Sequence, residues 1–378
     1  MNVRRLIELQ TGNEWIGCLD DKALNIETVK NAKSRISKKE YETHIEAATQ
    51  FEKKVWEQLK KGYVLTHAKS NIGEPILHYF VGSSYTGCQL VLDIDNVIVT
   101  NKNGDRNNGV KDALVFISQD GALIDTVQLP RNLPWDISYV NAYNSIFIDL
   151  DHIIYRYDFH KREFQQLTGQ CEEPASFVLS SGDIVAYCTH PNIIVMDVKT
   201  DKVILSTTIE CEKYSGHSCQ LTAALSEDGH ILALCNKVGE IQLIDVPTGD
   251  IIYTITAKLG LVKKMKFASF DNILVVLEQY ESWGVRFFDL KKKEEILTPF
   301  VEGALAARGG IIDTFCFNRK QDKFAVLNRK VIHIYDFGKK SLLHSFKAEH
   351  MVKNGEISFV GDKLGVRTDY GCLSLYEV

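Results

Sequence analysis

Short apolar runs that close on an acidic residue recur along most of the chain: IIYRYD, IIVMD, IQLID, VRFFD, IHIYD and LSLYE end at Asp158, Asp197, Asp245, Asp289, Asp336 and Glu377. Successive ends lie 39, 48, 44, 47 and 41 residues apart, and a weaker copy, ALVFIS, ends at Ser118, 40 residues before Asp158. Within each unit the order repeats: apolar strand, turn, apolar strand, polar turn, acidic-ended strand, turn, final strand. The unit LTAALS, EDG, HILALCN, KVGE, IQLIDV, PTGD, IIYTITA shows it most completely, with Gly229, Gly239 and Gly249 supplying turn geometry. Runs such as ILVVL and FAVLN are too short for buried helices, and strands covered on both faces need such uninterrupted apolar stretches.

Seven units of this period predict a mainly β protein, a closed seven-bladed propeller of four-stranded blades over residues 69–378. The last unit stops at Val378, after its third strand. The apolar segment at residues 75–82, ahead of the first unit, is the expected source of the missing outer strand, because such borrowing removes open ladder edges and ties the ends together. The unit beginning near Gly216-His217, with Ser226-Glu227-Asp228-Gly229 in its first turn and Ile244-Asp245 at its third strand, resembles a WD repeat. The pattern over about residues 75–378 also resembles propellers of the YVTN type. No unit has Trp before its acidic residue, so the hydrogen-bond network of WD repeats is not implied.

Residues 1–68 lie outside the repeat. VRRLIEL, NEWIGCLD and ALNIETVK predict three short strands, and EAATQFEKKVWEQLKKGY predicts an amphipathic helix with Ala48, Phe51, Val55, Trp56 and Leu59 on its buried face and Gly62 at its stop. This order, with the helix ending in Leu59-Lys60-Lys61-Gly62-Tyr63, resembles the WGR domain, a small α+β module. The alignment sets Asn31-Ala32-Lys33 where that family carries Trp-Gly-Arg. The resemblance implies nucleic-acid contact through a stacking Trp and a backbone-binding Arg. Asn31 offers no stacking surface, which leaves an electrostatic strip of Lys30, Lys33, Arg35, Lys38 and Lys39.

Composition narrows the function. Of 378 residues, 45% are hydrophobic and 25% charged, and the formal net charge of -5 argues against a generally basic, nucleic-acid-coating surface. The first 65 residues carry 12 Lys and Arg against 10 Asp and Glu, so any such contact is local. The start MNVRRLIELQTGNEW lacks the apolar core of a secretory signal and no apolar run approaches the ~20 residues of a membrane helix, so a cytoplasmic protein without membrane association is expected. Nine scattered cysteines in apolar contexts predict buried, reduced thiols.

Motifs for chemistry are missing from the sequence: there is no phosphate loop, C-x-x-C, H-E-x-x-H or G-x-S-x-G. His190 near Cys188 and His217 near Cys219 do not make a metal site, and the oxygen-rich segment 101–112 lacks the spacing and closing Glu of a calcium loop, so neither metal nor cofactor is expected. Segment 101–112 instead predicts a long polar hairpin. Asp149-Leu150-Asp151-His152 sets two carboxylates beside an imidazole, a pattern read as turn residues. Trp135 and Trp283, in loop-like contexts, are candidate partner contacts. The expected function is therefore a non-enzymatic scaffold that binds a protein or peptide through loops on a face of the ring. The alternatives are a nucleic-acid-associated regulator using the basic strip and a small-molecule binder or enzyme using the central channel.

Overall fold

A computed structural model describes all residues except 1, 69, 83–87, 171–174, 215–217, 269–271, 298–299, 307–310 and 352; Cys171 and the Gly216-His217 pair lie outside the described residues. The chain opens on an antiparallel meander, β1 (Asn2–Glu8), β2 (Asn13–Asp20), β3 (Ala23–Lys30) and β4 (Lys33–Glu40). Four strands stand where three were expected. The basic strip has a strand's register with β3 and is exposed along its whole length. Asn31 and Ala32, with φ of 48° and 61°, are the two-residue turn between β3 and β4, so the Asn31-Ala32-Lys33 triplet turns a hairpin instead of running along a strand. Two left-handed residues match the right-handed twist of the flanking strands, which is why such turns close tight hairpins.

Helix α1 (His44–Leu59) covers one face of this sheet. Thr43 caps it, accepting a hydrogen bond from the Glu46 N–H at 3.1 Å, and Gly62 with φ of 90° ends it. Its buried residues are Ala47, Phe51, Val55, Trp56 and Leu59, packed with Leu6, Trp15, Leu19 and Leu24 of the sheet. Trp15 lies across Gly17 on β2, where an added Cβ would run into the Trp15 ring and sit 2.8 Å from the Phe51 ring.

After β5 (Val64–Thr66) and β6 (Pro75–Phe80), six four-stranded antiparallel sheets follow in chain order, spanning residues 91–128, 134–166, 176–208, 222–256, 261–296 and 314–347. The expected seventh four-stranded blade is not a separate sheet. Gly355–Val360, Lys363–Thr368 and Cys372–Tyr376 pair in order, Cys372–Tyr376 pairs with β6, β6 with β5, β5 with β1, and the meander completes a nine-stranded sheet. Each of the six four-stranded sheets runs in chain order from its first strand, innermost, to its fourth, outermost.

Buried apolar clusters fill every gap between neighbouring sheets. Leu114 and Phe116 meet Ile146 and Ile148; Leu234 and Ile244 meet Val195; and the last interface returns to the first sheet, where Leu373 and Leu375 meet Ile98, Val115 and Ile117. The ring therefore closes on itself. Arg367, fully buried, fastens that closure by donating to the Gly82 and Asn101 carbonyls at 2.8 and 3.1 Å.

The repeated acidic residues have a local task. Asp158, Asp197, Asp289 and Asp336 accept backbone N–H groups two or three residues ahead, at 2.7–3.1 Å, and Asp245 holds both the N–H and the hydroxyl of Thr248. A short side chain that accepts from the backbone just ahead fixes a turn, so the recurring signal marks the hairpin between the third and fourth strands. Cys88, Cys188, Cys235, Cys316 and Cys372 are buried.

Gly17→Ala is expected to destabilise the chain by about 1–3 kcal/mol, the usual cost of overpacking a filled core. Denaturant titration followed by tryptophan fluorescence measures it, and an unchanged midpoint would show that Trp15 relaxes freely.

Candidate functional site

In an antiparallel meander that runs outward from the axis, the turn between the second and third strands lies on the same face as the linker to the next sheet. That topology gathers several notable side chains on one face. Trp135 begins the innermost strand of the second sheet (Pro134–Val140), and His152 stands in that sheet's turn between strands two and three. Tyr280 and Trp283 occupy the equivalent turn of the fifth sheet, Tyr214 lies in the linker between sheets three and four, and Tyr370 is in the corresponding turn of the nine-stranded sheet.

Trp135 and Trp283 are each about 37% exposed. Trp135 stacks on the His152 ring at 5.6 Å, and Trp283 meets Tyr280 edge-on at 5.0 Å while Tyr280 stacks on Tyr214 at 5.3 Å. Tyr280 and Trp283 both hold left-handed backbone, with φ of 81° and 53°, a conformation bulky residues rarely adopt. Buried Glu278 keeps the turn in place: one carboxylate oxygen accepts the Gly260 N–H at 2.8 Å and the other takes the N–H and hydroxyl of Ser282.

The channel mouth on this face is polar. Lys264, from the fifth sheet, donates to Thr314 of the sixth at 3.1 Å and to Glu356 of the nine-stranded sheet at 2.7 Å, while Thr314 donates to the same Glu356 oxygen at 3.0 Å. Surrounding protein opposes the Lys264 charge, but Glu356 outweighs it and holds the ammonium above its ordinary range. Among the described residues Lys266, two positions on, has no such partner. Its side chain is solvent-accessible, and the surrounding protein together with the Lys264 charge lowers its pKa. Burial pushes Asp136 up to about 6, against hydrogen bonds from the Ile137 and Val178 N–H groups.

Asp149-Leu150-Asp151-His152 divides. Asp149 is a buried strand residue, whereas Asp151 and His152 form a left-handed two-residue turn, Asp151 paired with Arg131. Ser176 donates to Asp149 at 2.5 Å, and His152 Nδ1 lies 2.7 Å from the same hydroxyl. Burial lowers the His152 pKa and raises that of Asp149 to about 7, with Asp136 adding to the latter. The serine stands between the acid and the imidazole, so His152 is not oriented by the carboxylate as the base of a nucleophilic triad requires. Segment 101–112 is secured through buried Asp112, which accepts the Gly104 N–H within the segment at 2.8 Å and the Leu133 N–H beyond it at 3.0 Å. Away from the axis, a groove of about 370 Å³ lies by the outer strands of sheets four and five, against Tyr253, Arg286, Lys293 and Glu295.

By register, Lys30, Lys33, Arg35 and Lys39 share the face of the meander that carries Trp15 and Leu24, while Lys38 is on the other face and pairs with Glu40 at 2.8 Å. Lys39 lies 4.8 Å over the Tyr41 ring. The strip and the ring-face aromatics are therefore separate surfaces. The Lys264–Thr314–Glu356 bridge drew no signal from the sequence because its members sit in three different repeats.

No protein-family model matches the chain, and no curated protein matches it in sequence. Solved structures do. A chain of the crystal structure of the Mitotic Checkpoint Complex superposes with a TM-score of 0.61 at 13% identity, covering 83% of this chain and 94% of that one. The β-propeller domain of Cps50 (Swd1) from Myceliophteria thermophila gives 0.59 at 12% identity over 80% and 99%. The computationally designed Ika8 protein gives 0.53 at 13% identity over 79% and 99%. The ring is a β-propeller. Among the described residues of the propeller and its N-terminal meander, no helix is long and apolar enough to cross a membrane.

The raised Asp149 pKa has a sign that can be checked. Its carboxyl is neutral in the folded state up to about pH 7 and ionises near its ordinary value once unfolded, so this group costs no stability below about pH 4 and subtracts increasingly from it as pH rises toward 7. Asp149→Asn is expected to flatten that decline, with a gain over wild type growing from pH 4 to 7 and reaching a few kcal/mol, since one pKa unit is about 1.4 kcal/mol. Chemical denaturation at several pH values measures it, and a pH-independent difference would contradict the assignment.

Proposed function

We propose that the protein is a non-enzymatic interaction scaffold whose propeller face, built from linkers and second-to-third-strand turns, binds a protein or peptide partner. The observation that carries this reading is the set of part-exposed aromatics on that face, Trp135, Tyr280 and Trp283, two of them in strained left-handed backbone. Large, rigid aromatics supply most of the energy at protein interfaces, and backbone strain persists where surrounding structure is built to hold it. The bridged channel mouth supports the same reading over a small-molecule site on the axis, because Lys264, Thr314 and Glu356 already satisfy one another there. We count the first four strands of the nine-stranded sheet as a seventh blade, and take residues 1–68 as a WGR-like module joined to that blade's outer edge.

A photo-crosslinking residue placed at 135 or 283 is expected to capture the same partner from native lysate, with none captured from position 248 on the opposite face. Trp135→Ala with Trp283→Ala is expected to weaken binding of that partner by about 2 kcal/mol or more, a hot-spot loss. Capture from 248 alone, or unchanged affinity in the double variant, would refute the assignment of this face.

The shared face of Lys30, Lys33, Arg35 and Lys39 favours a second reading, local association with nucleic acid. It predicts weak binding to single-stranded DNA that falls steeply from 50 to 200 mM salt, and Lys33→Ala, Arg35→Ala and Lys39→Ala together reduce the magnitude of the log–log salt slope by about 2–3. A slope equal to that of wild type, measured by fluorescence anisotropy, removes the strip from consideration.

A further inference from the structure

The seam between the meander and the ring holds a cluster that neither the aromatic face nor the channel uses. His78 on β6, Glu349 and His350 bring one donor atom each to within 4.8 Å of one another. We propose that these three residues form a binding site for a divalent transition cation of the zinc class, with an open fourth position. No ion is needed to hold the fold in the description above, so the argument rests on how the donors are presented.

His78 is fully buried, and its two nitrogens have distinct surroundings. Nδ1 lies 2.7 Å from the Ser374 hydroxyl, which can accept its proton, and Nε2 lies 3.0 Å from Glu349 Oε2. With the Nδ1 proton held by Ser374, Nε2 can present its lone pair to a cation in place of its contact with Glu349 Oε2, and the Ser374 hydroxyl is the second contact a metal-binding imidazole usually has. Glu349 is oriented in the same manner. Its Oε1 accepts from Arg4 at 2.8 Å, leaving Oε2 toward the His78 imidazole, and its N–H donates to the Tyr376 hydroxyl at 2.9 Å.

His350 supplies the independent observation. Among the described residues its Nε2 is buried without a hydrogen-bond partner, its backbone is left-handed at φ of 52°, and its carbonyl is pinned by the Thr368 hydroxyl at 2.7 Å. The Trp56 ring stacks on it at 5.0 Å and fixes its plane. A buried nitrogen with no partner calls for an explanation, and a cation supplies one. Two imidazoles and a carboxylate suit zinc-class ions, whose bonds to N and O run near 2.0–2.2 Å. Tetrahedral bonds of that length set donors roughly 3.4 Å apart, so the widest pair must close by up to about 1.4 Å on binding. The competing arrangement is an ion cluster of Arg4, Glu349 and a protonated His78, in which His350 has no task.

His350 therefore decides between them. The full-length protein, stripped with a chelator and dialysed, is titrated with zinc chloride and separately with cobalt chloride. One ion per chain is expected, with a rise in Tm on zinc addition and a visible cobalt absorption band of tetrahedral or five-coordinate character. His350→Asn, which keeps a residue tolerant of left-handed backbone, is expected to weaken uptake at least tenfold, with its zinc-induced rise read against its own Tm in chelator so that lost stacking on Trp56 is not counted. Ser374→Ala is expected to weaken it by roughly 10–100-fold through loss of the His78 orientation. The proposal is overturned if the wild-type chain shows no cobalt band at one equivalent, a result independent of any variant, or if His350→Asn takes up zinc as well as wild type does.

Discussion

Everything in this molecule depends on the pairing of β6 with the last strand. Leu77 faces Leu375, His78 faces Ser374, and Phe80 faces Cys372, so residues nearly three hundred positions apart in sequence lie side by side. A row of open sheets would leave apolar faces and ladder edges at both ends, and bringing the ends together removes both. The cost is the entropy of closing a very long loop, but that cost grows only logarithmically with length, whereas the closing interface buries an apolar cluster as the other interfaces do. Leu373, Leu375, Val115 and Ile117 fill that interface, and the Arg367 guanidinium donates to the Gly82 and Asn101 carbonyls beside it.

The same strand transmits the closure to the N-terminal meander. β6 pairs onward with β5, β5 with β1, and α1 packs its Trp56 against Phe80, Tyr370 and His350. The meander is thus an extension of the closing sheet and not a free appendage. Arg4 reaches across the seam to Glu349, so a polar contact reinforces what the sheet already joins. Such a joint makes the ring's last sheet and the meander one mechanical unit.

Periodicity revealed the ring because every unit solves the same two problems, covering both faces of each sheet and turning back between strands. Turn-capping carboxylates such as Asp197 and Asp336 are local devices and therefore visible as a repeat. The helix was equally legible, since Phe51, Val55, Trp56 and Leu59 fall on one face at 3.6-residue spacing. The fourth strand of the meander was not: Lys33–Glu40 is polar throughout, and a hairpin strand held only by β3 and its turn carries no apolar alternation to announce it. Asp149 was misread for a related reason. Its neighbour Asp151 does sit in a turn, but the strand extends to Leu150, and burial of a carboxylate beside Ser176 is set by the adjoining sheet.

Sites assembled between units lie beyond reach of a reading along the chain. Lys264, Thr314 and Glu356 belong to three successive sheets, and His78, Glu349 and Trp56 come from the closing strand, the last linker and the helix. A propeller makes such convergence routine, because each innermost strand and each linker is brought beside its neighbour by the ring itself and not by anything nearby in sequence. Side chains at those positions differ from one repeat to the next while apolar cores persist between the sheets, so the fold leaves room there for a site. By that argument the polar channel mouth, the aromatic face and the seam can each be altered independently, provided that the closing pair of strands remains intact.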